Sequence, residues 1–274
     1  MTVPCGQCIG CRVEKSRQWA VRIMHEAQLH QDNRFITLTY SPEHLPPLGS
    51  LRLRDFQLFM KRLRRRTGEK IRFFHCGEYG DDLGRPHYHA CLFGYAFPDE
   101  TPHRVSDSGH TQFRSDLLSD LWPLGLHEIG ELTFESAQYV AAYTTKKIKL
   151  SHASTEEAIN AYRERYEVGV DESTGEVLEL APEYATMSRN PGIARDWYDR
   201  YSADVFPHDH VIVNGHPAKP PRYYLEQLKK HDERSARAVK KARQLAADKV
   251  TRERLADIEE CAFAKLTHKR EFDA

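Results

Sequence analysis

The segment KIRFFHCGEYGDDLGRPHYHACLFG, residues 70–94, decides how this chain folds. It holds two runs rich in β-branched and aromatic residues, 70–80 and 85–94, each closed by glycine and separated by an Asp- and Gly-rich break. Such runs bounded by turn residues predict two strands. In a strand, residues i and i+2 share a face about 6.6–6.8 Å apart. His87 and His89 therefore project together from a rigid platform, and the turn after Tyr79 brings Glu78 of the preceding strand beside His87. Two imidazoles and a carboxylate can converge on one divalent ion. The other reading is a polar sheet face, since histidine is common at surfaces as well as in metal sites.

Outward from this hairpin, apolar spacing predicts a helix over 12–31, a buried strand at RFITLTY (34–40) and a helix over 51–66 carrying Leu53, Phe56, Leu58, Phe59 and Leu63. A loop is predicted over 97–111, a helix near 113–121, an alternating strand over 125–133 and a helix over 134–149, capped by Thr133. The order predicts an α+β fold with a central, mainly antiparallel β-sheet flanked by helices. Beyond 150 the pattern predicts a helix over 152–166, a hairpin at VDESTGEVLEL (170–180) and a Pro-punctuated loop over 206–221. The expected organisation is one domain over 1–221, with a Cys-rich start at 5–11 and an insertion at 151–185, followed by a charged helical tail over 222–274.

The chain has 274 residues, 40% hydrophobic and 29% charged, enough for one sizeable core with an extension. Forty acidic residues balance forty basic ones, so net charge decides nothing about a polyanionic partner, but local distribution does. Residues 52–72 carry nine Lys or Arg against two acids, and 222–270 is also net basic. The first of these is either a solvated helix face or a phosphate contact through Lys61, Arg62, Arg64, Arg65 and Arg66. No run approaches the roughly 18 apolar residues of a membrane span, and no apolar signal core opens the chain, so no membrane is expected. Six cysteines in a chain of this length do not form a disulfide scaffold, which points to a reducing, cytoplasmic setting.

Two further constellations carry chemistry. In QYVAAYTTKK (138–147), Tyr139, Tyr143 and Lys146 stand at i, i+4 and i+7 and project from one helix face. A phenol, with a pKa near 10, attacks only with help, and a nearby lysine or metal ion supplies it. Core packing and the helix dipole explain the same residues without chemistry. Cys5, Cys8 and Cys11 have the spacing of three thiolates on a structural Zn²⁺, with His75, Cys76 or Cys261 available as a fourth ligand; free thiols are the alternative. Position 15 is Lys, so the iron–sulfur spacing is not met.

An apolar strand FITLTY, an acid, an H-x-H strand and a Y-x-x-x-Y-x-x-K helix, in that order, resemble the HUH endonucleases that initiate rolling-circle replication, in their two-tyrosine form. The phrases VPCGQCIGCR, SRQWAVRIMHEA, FITLTYSPEHLP, FQLFMKRLR, HCGEYGDDLGRPHYHACLFG and KPPRYY are similar to those of replication initiation proteins from gokushovirus-type single-stranded DNA phages. The likeness runs from Val3 to about Tyr224, with gaps in 150–185. It implies that His87 and His89 bind Mg²⁺ or Mn²⁺, with Glu78 where related initiators often carry a carboxylate ligand. It implies Tyr139 and Tyr143 as paired nucleophiles, Lys146 as the motif's lysine, and a covalent 5′-phosphotyrosine intermediate. The implied partners are a single-stranded DNA origin and the helicase and DNA polymerase of a bacterial host, in whose cytoplasm the protein would act. No G-x-x-x-x-G-K-[ST] motif is present, so the chain itself is not read as a motor ATPase. The basic helix then becomes a DNA-backbone contact. Phe73, Tyr79 and Tyr88 are offered to unstacked bases, though core packing explains each better. A relaxase or transposase of the same fold is an alternative, as is a non-catalytic, zinc-bearing single-stranded DNA-binding protein.

Overall fold

The computed structural model describes residues 6, 8–80, 83–106, 109–146, 156–246 and 252–272; the side chains at 143–146, 158, 252 and 265–272 are outside that description. The elements follow in the order α1 (Ile9–Ala27), β1 (Asn33–Thr39), α2 (Leu53–Thr67), β2 (Arg72–Tyr79), β3 (Pro86–Phe93), β4 (Thr101–Val105) and β5 (Thr111–Arg114). Next come α3 (Asp116–Leu121), β6 (His127–Glu131), α4 (Phe134–Lys146), α5 (Glu156–Tyr166), β7 (Glu167–Val170), β8 (Val177–Glu179) and β9 (Tyr184–Met187). The chain ends with α6 (Arg195–Val205), β10 (Val211–Val213), β11 (His216–Ala218), α7 (Arg222–His231), α8 (Glu233–Ala246) and α9 (Arg252–Phe272). These elements form two compact units, one spanning His30–Ser188 and the other joining Met1–Leu29 to Arg189–Ala274.

The first unit is built on a seven-stranded sheet with the order β4-β5-β6-β1-β3-β2-β9 among the described residues. Every neighbouring pair runs antiparallel, as the α+β reading requires. The long strands β1, β2 and β3 lie at its centre, and strict alternation gives each two different faces. On one face Ile36, Leu38, Tyr88, Ala90 and Leu92 join Phe56, Phe59, Met60 and Leu63 of α2 and Leu118 and Leu121 of α3 in the main core. Helix α2 forms because its large apolar residues recur along one side. Asp55 occupies its first turn and Arg64, Arg65 and Arg66 its last, and Gly68 closes it in the left-handed region at φ 74°. On the other sheet face α4 buries Ala137, Val140 and Ala141 while packing over β2, β3 and β9.

Four local expectations change. The helix predicted over 12–31 ends at Ala27. The loop predicted over 97–111 contains β4 and the start of β5, and the helix predicted near 113 begins at Asp116. All of β4 is exposed at the sheet edge, so its pairing needs no apolar alternation and leaves none to detect. The loop predicted over 206–221 holds the small β10–β11 hairpin.

In the second unit, α1 buries Ala20, Val21, Ile23 and Ala27. His25 stacks on Trp197 at 3.6 Å between ring centroids, and its Nδ1 lies 2.7 Å from the Tyr224 hydroxyl. Tyr224 also stacks on Trp197 and Tyr198, so the start of the predicted charged tail is anchored in this unit's core. Among the described residues, no helix is long and apolar enough to cross a membrane.

Candidate metal centre and active site

Register across the central strands assembles the site. Glu78 of β2 pairs with His87 of β3, and Cys76 with His89; on the other side Thr37 and Thr39 of β1 pair with His89 and His87. Because β3 alternates, Tyr88 is driven into the opposite core while its two histidine neighbours face α4. The Tyr88 hydroxyl is held there 2.7 Å from the Tyr40 hydroxyl, and it accepts from Arg52 N at 2.9 Å. Full burial of Tyr88 corrects its reading as a base-stacking residue.

The three potential ligands converge. His87 Nε2 and His89 Nε2 lie 2.7 and 2.8 Å from the same oxygen, Glu78 Oε1. Ligand atoms of the trio are all within 4.8 Å of one another, the one such group of three His, Cys, Asp or Glu among the described residues. Glu78 is only 2% exposed and His89 6%, so these are interior polar groups and not sheet-surface decoration. Burial alone would raise the Glu78 carboxyl, but hydrogen bonds to His87 and His89 outweigh it and hold the group below its ordinary value. Burial lowers the His89 imidazole against the opposing pull of Glu78, which favours the neutral, ligand-competent ring.

Two features fit this cluster to a cation. The carbonyl of Arg85, 3.1 Å from His87 Nδ1, can only accept, so Nδ1 carries the hydrogen. The Nε2 of a neutral His87 then directs a lone pair at Glu78 Oε1, an arrangement stable only with a proton or metal ion between them. The second oxygen, Glu78 Oε2, is buried and has no hydrogen-bond partner among the described residues. An acceptor left this way is costly unless something positive satisfies it. Two imidazole nitrogens and a carboxylate suit a divalent first-row ion.

Sequence reasoning missed the support around these ligands. Thr37 Oγ1 lies 3.0 Å from His89 Nδ1, and Phe35 stacks on the same ring at 5.5 Å. The signal was present: FITLTY alternates, so Phe35, Thr37 and Thr39 share a face. Only the strand order put that face beside β3.

Helix α4 brings Tyr139 to the cluster. Its hydroxyl donates to Glu78 Oε1 at 3.3 Å, its ring meets His89 edge-on at 5.1 Å, and the side chain is 45% exposed, open to a substrate. Tyr143 and Lys146 belong to the same helix, but their side chains lie outside the described residues. Cys5 also lies outside them, while Cys8 is exposed at the start of α1 and Cys11 is half-buried in its first turn. Of the candidate fourth ligands, His75 and Cys76 are buried in β2, with His75 stacked on Phe56 at 3.4 Å, and Cys261 is exposed.

The basic helix divides its charges between two tasks. Lys61, Arg65 and Arg66 are exposed. Arg62 Nε donates to Leu121 O at 2.9 Å, and Arg64 Nη2 to Ile71 O at 2.6 Å, so these two guanidinium groups tie α2 to neighbouring backbone.

Comparison with known proteins adds to this geometry. Residues 33–148, which run from β1 through the end of α4 and contain Glu78, His87, His89 and Tyr139, match the family model for the replication-associated protein ORF2. Replication-associated protein VP4 of Bdellovibrio phage phiMH2K is 32% identical over 93% of this chain and 78% of its own length. Replication-associated protein ORF2 of Spiroplasma virus 4 is 31% identical over 93% of this chain and 81% of its own. Replication-associated protein ORF4 of Chlamydia phage 1 is 30% identical over 83% of this chain and 54% of its own. No solved structure matches.

Proposed function

Since this chain belongs to the family of phage replication-associated proteins of the ORF2 type, we propose that it starts rolling-circle replication by nicking and rejoining single-stranded DNA through a tyrosine. The observation that carries this reading is the Tyr139 hydroxyl placed 3.3 Å from Glu78 Oε1, on the oxygen toward which His87 and His89 also point. A nucleophile beside a buried three-ligand cluster is what in-line attack on a phosphodiester needs.

Glu78, His87 and His89 would hold Mg²⁺ or Mn²⁺. Bound there, such an ion supplies Lewis-acid polarisation of the scissile phosphate. The phenolic oxygen of Tyr139 forms the new bond to phosphorus as the bond to the 3′ oxygen breaks. The phenolic proton is given up and the leaving 3′ oxygen ends as a hydroxyl, so the DNA 5′ phosphate stays on the protein. The ester bond keeps the energy of the original linkage, and rejoining needs no nucleotide. Tyr143, one helical turn along α4, serves as the second nucleophile, and Lys146 steadies charge on the reacting phosphate. Thr37 and the Arg85 carbonyl orient the two imidazoles. Lys61, Arg65 and Arg66 hold the DNA backbone. A host polymerase extends the free 3′ hydroxyl while a host helicase opens the duplex, in the bacterial cytoplasm. Cys5, Cys8 and Cys11 hold a structural zinc.

The test is incubation with a single-stranded origin oligonucleotide and Mn²⁺ or Mg²⁺, followed by a denaturing gel. A covalent protein–DNA band is expected, lost in EDTA, in His87→Ala and in the Tyr139→Phe/Tyr143→Phe double variant. A covalent band that survives in the double variant would overturn the tyrosine assignment.

A further inference from the structure

The helical unit carries a second cationic site that the nicking chemistry does not use. Lys15, Gln18, Trp19 and Arg22 follow at i, i+3, i+4 and i+7, so they form one stripe along α1. The first turn of α7 closes over this stripe, and the resulting cleft is lined by those four residues with Arg222, Tyr223 and Glu226. Gln18 fixes the closure, its Oε1 accepting from Arg222 N at 3.0 Å.

Arg22 is the centre of the cleft. Its guanidinium lies 4.1 Å from the Trp19 ring centroid and 3.8 Å from that of Tyr223. Both Nε and Nη2 donate to the Ile193 carbonyl, at 3.3 and 2.9 Å. The cation is thus immobilised and partly desolvated, while Nη1 is left over from that tether. An arginine serving only to tether Ile193 would need no flanking charges. Here Lys15 and Arg222 add two more cations, against the single carboxylate of Glu226, which Arg222 engages at 2.8 Å. A held guanidinium edge with neighbouring cations matches the oxygens of a phosphate, and half-buried aromatic rings beside it match the face of a base.

We propose that this cleft binds a nucleotide of single-stranded DNA, its phosphate on Arg22, Lys15 and Arg222 and its base against Trp19 or Tyr223. The assignment rests on the proposed function only for the identity of the strand. It gives the protein a hold on DNA built wholly from the helical unit, independent of the metal cluster.

The experiment uses the full-length protein in EDTA, so that no cleavage is required. A thymidine oligonucleotide carrying 5-iodouracil is crosslinked by ultraviolet light and the attachment points are mapped by mass spectrometry. Affinity is measured in parallel, by fluorescence anisotropy over a salt series, for wild type and Lys15→Gln/Arg222→Gln. Both substituted side chains are exposed, so the fold is retained. Crosslinks at Trp19 or Tyr223 are expected, with a plot of log K against log salt shallower by about 0.7 for each phosphate no longer neutralised. Crosslinks confined to residues 30–188, with an unchanged slope in the double variant, would overturn the site. Nicking is assayed separately with metal. Binding here without any cleavage would sink the proposed function and leave this site standing, whereas cleavage with an unchanged slope and no crosslink here would do the reverse.

Discussion

Replacing Thr37 by valine removes one oxygen and little else. Valine keeps the β-branched shape that suits a central strand, so the perturbation is confined to the hydroxyl 3.0 Å from His89 Nδ1. That hydroxyl must serve two states. Without metal, His89 Nε2 donates to Glu78 Oε1, and the neutral ring's Nδ1 accepts from the threonine hydroxyl. With metal on Nε2 the hydrogen moves to Nδ1, which then donates to the same hydroxyl. Only a group that both gives and receives follows this exchange. Valine withdraws this hydrogen bond from a buried ring in either state, at a cost of about 1–3 kcal/mol. Removing such an outer support typically weakens metal binding 10–100-fold, or about 1.4–2.8 kcal/mol. Titration of the protein with Mn²⁺, following the electron paramagnetic resonance signal of the free ion, should therefore show that weakening in Thr37→Val and its recovery in Thr37→Ser. Nicking at limiting Mn²⁺ should fall in parallel and return at excess metal. A Mn²⁺ affinity within twofold of wild type in Thr37→Val would refute the role given to the hydroxyl.

A methyl group at Gly125 would lie 2.3 Å from both Thr39 O and Ser41 N, backbone atoms that cannot rotate away. Gly125→Ala should lower the unfolding free energy by about 3 kcal/mol in urea titrations followed by circular dichroism, and a wild-type midpoint would contradict that. Burial holds His25 at a pKa of about 3, below the ordinary 6.5. Its stability contribution is therefore complete above the unfolded value and lost as pH falls through 6.5 toward 3. Denaturation midpoints should become less sensitive to acid in His25→Phe, by up to about 1.4 kcal/mol per pH unit, and an identical slope in the two proteins would count against this. Gln at Lys61, Arg65 and Arg66 should make DNA binding less salt-dependent without altering stability. Arg64→Gln should instead destabilise by about 1 kcal/mol, because its guanidinium serves the Ile71 carbonyl; reversed effects would reverse the assignment. Purified protein should carry about one zinc by mass spectrometry, absent when Cys5, Cys8 and Cys11 are all serine.

Much of the molecule is legible in one dimension because its signals are local. Alternation in RFITLTY and RPHYHACLFG, the helical spacing of Phe56, Phe59 and Leu63, and glycine at the ends of runs all report the immediate neighbours of a residue in the chain. Those patterns are enough for an antiparallel α+β sheet, for His87 and His89 on one face, and for Tyr139 on a helix. They do not mark β4, whose exposed edge buries nothing, or the division of the chain at 29/30 and 188/189. Nor do they show that α1 finds its core partners Trp197 and Tyr224 some 170 to 200 residues away, since nothing local records that pairing.

The site itself hangs on register. Sliding β2 by one residue against β3 would turn Glu78 away from the histidines and leave the composition and periodicity of both strands unchanged. The sequence by itself determined which side chains each strand can show to one face. Only the tertiary structure decided that Glu78, His87, His89, Thr37 and Tyr139 meet there, because strand order and helix placement come from burying the whole core at once.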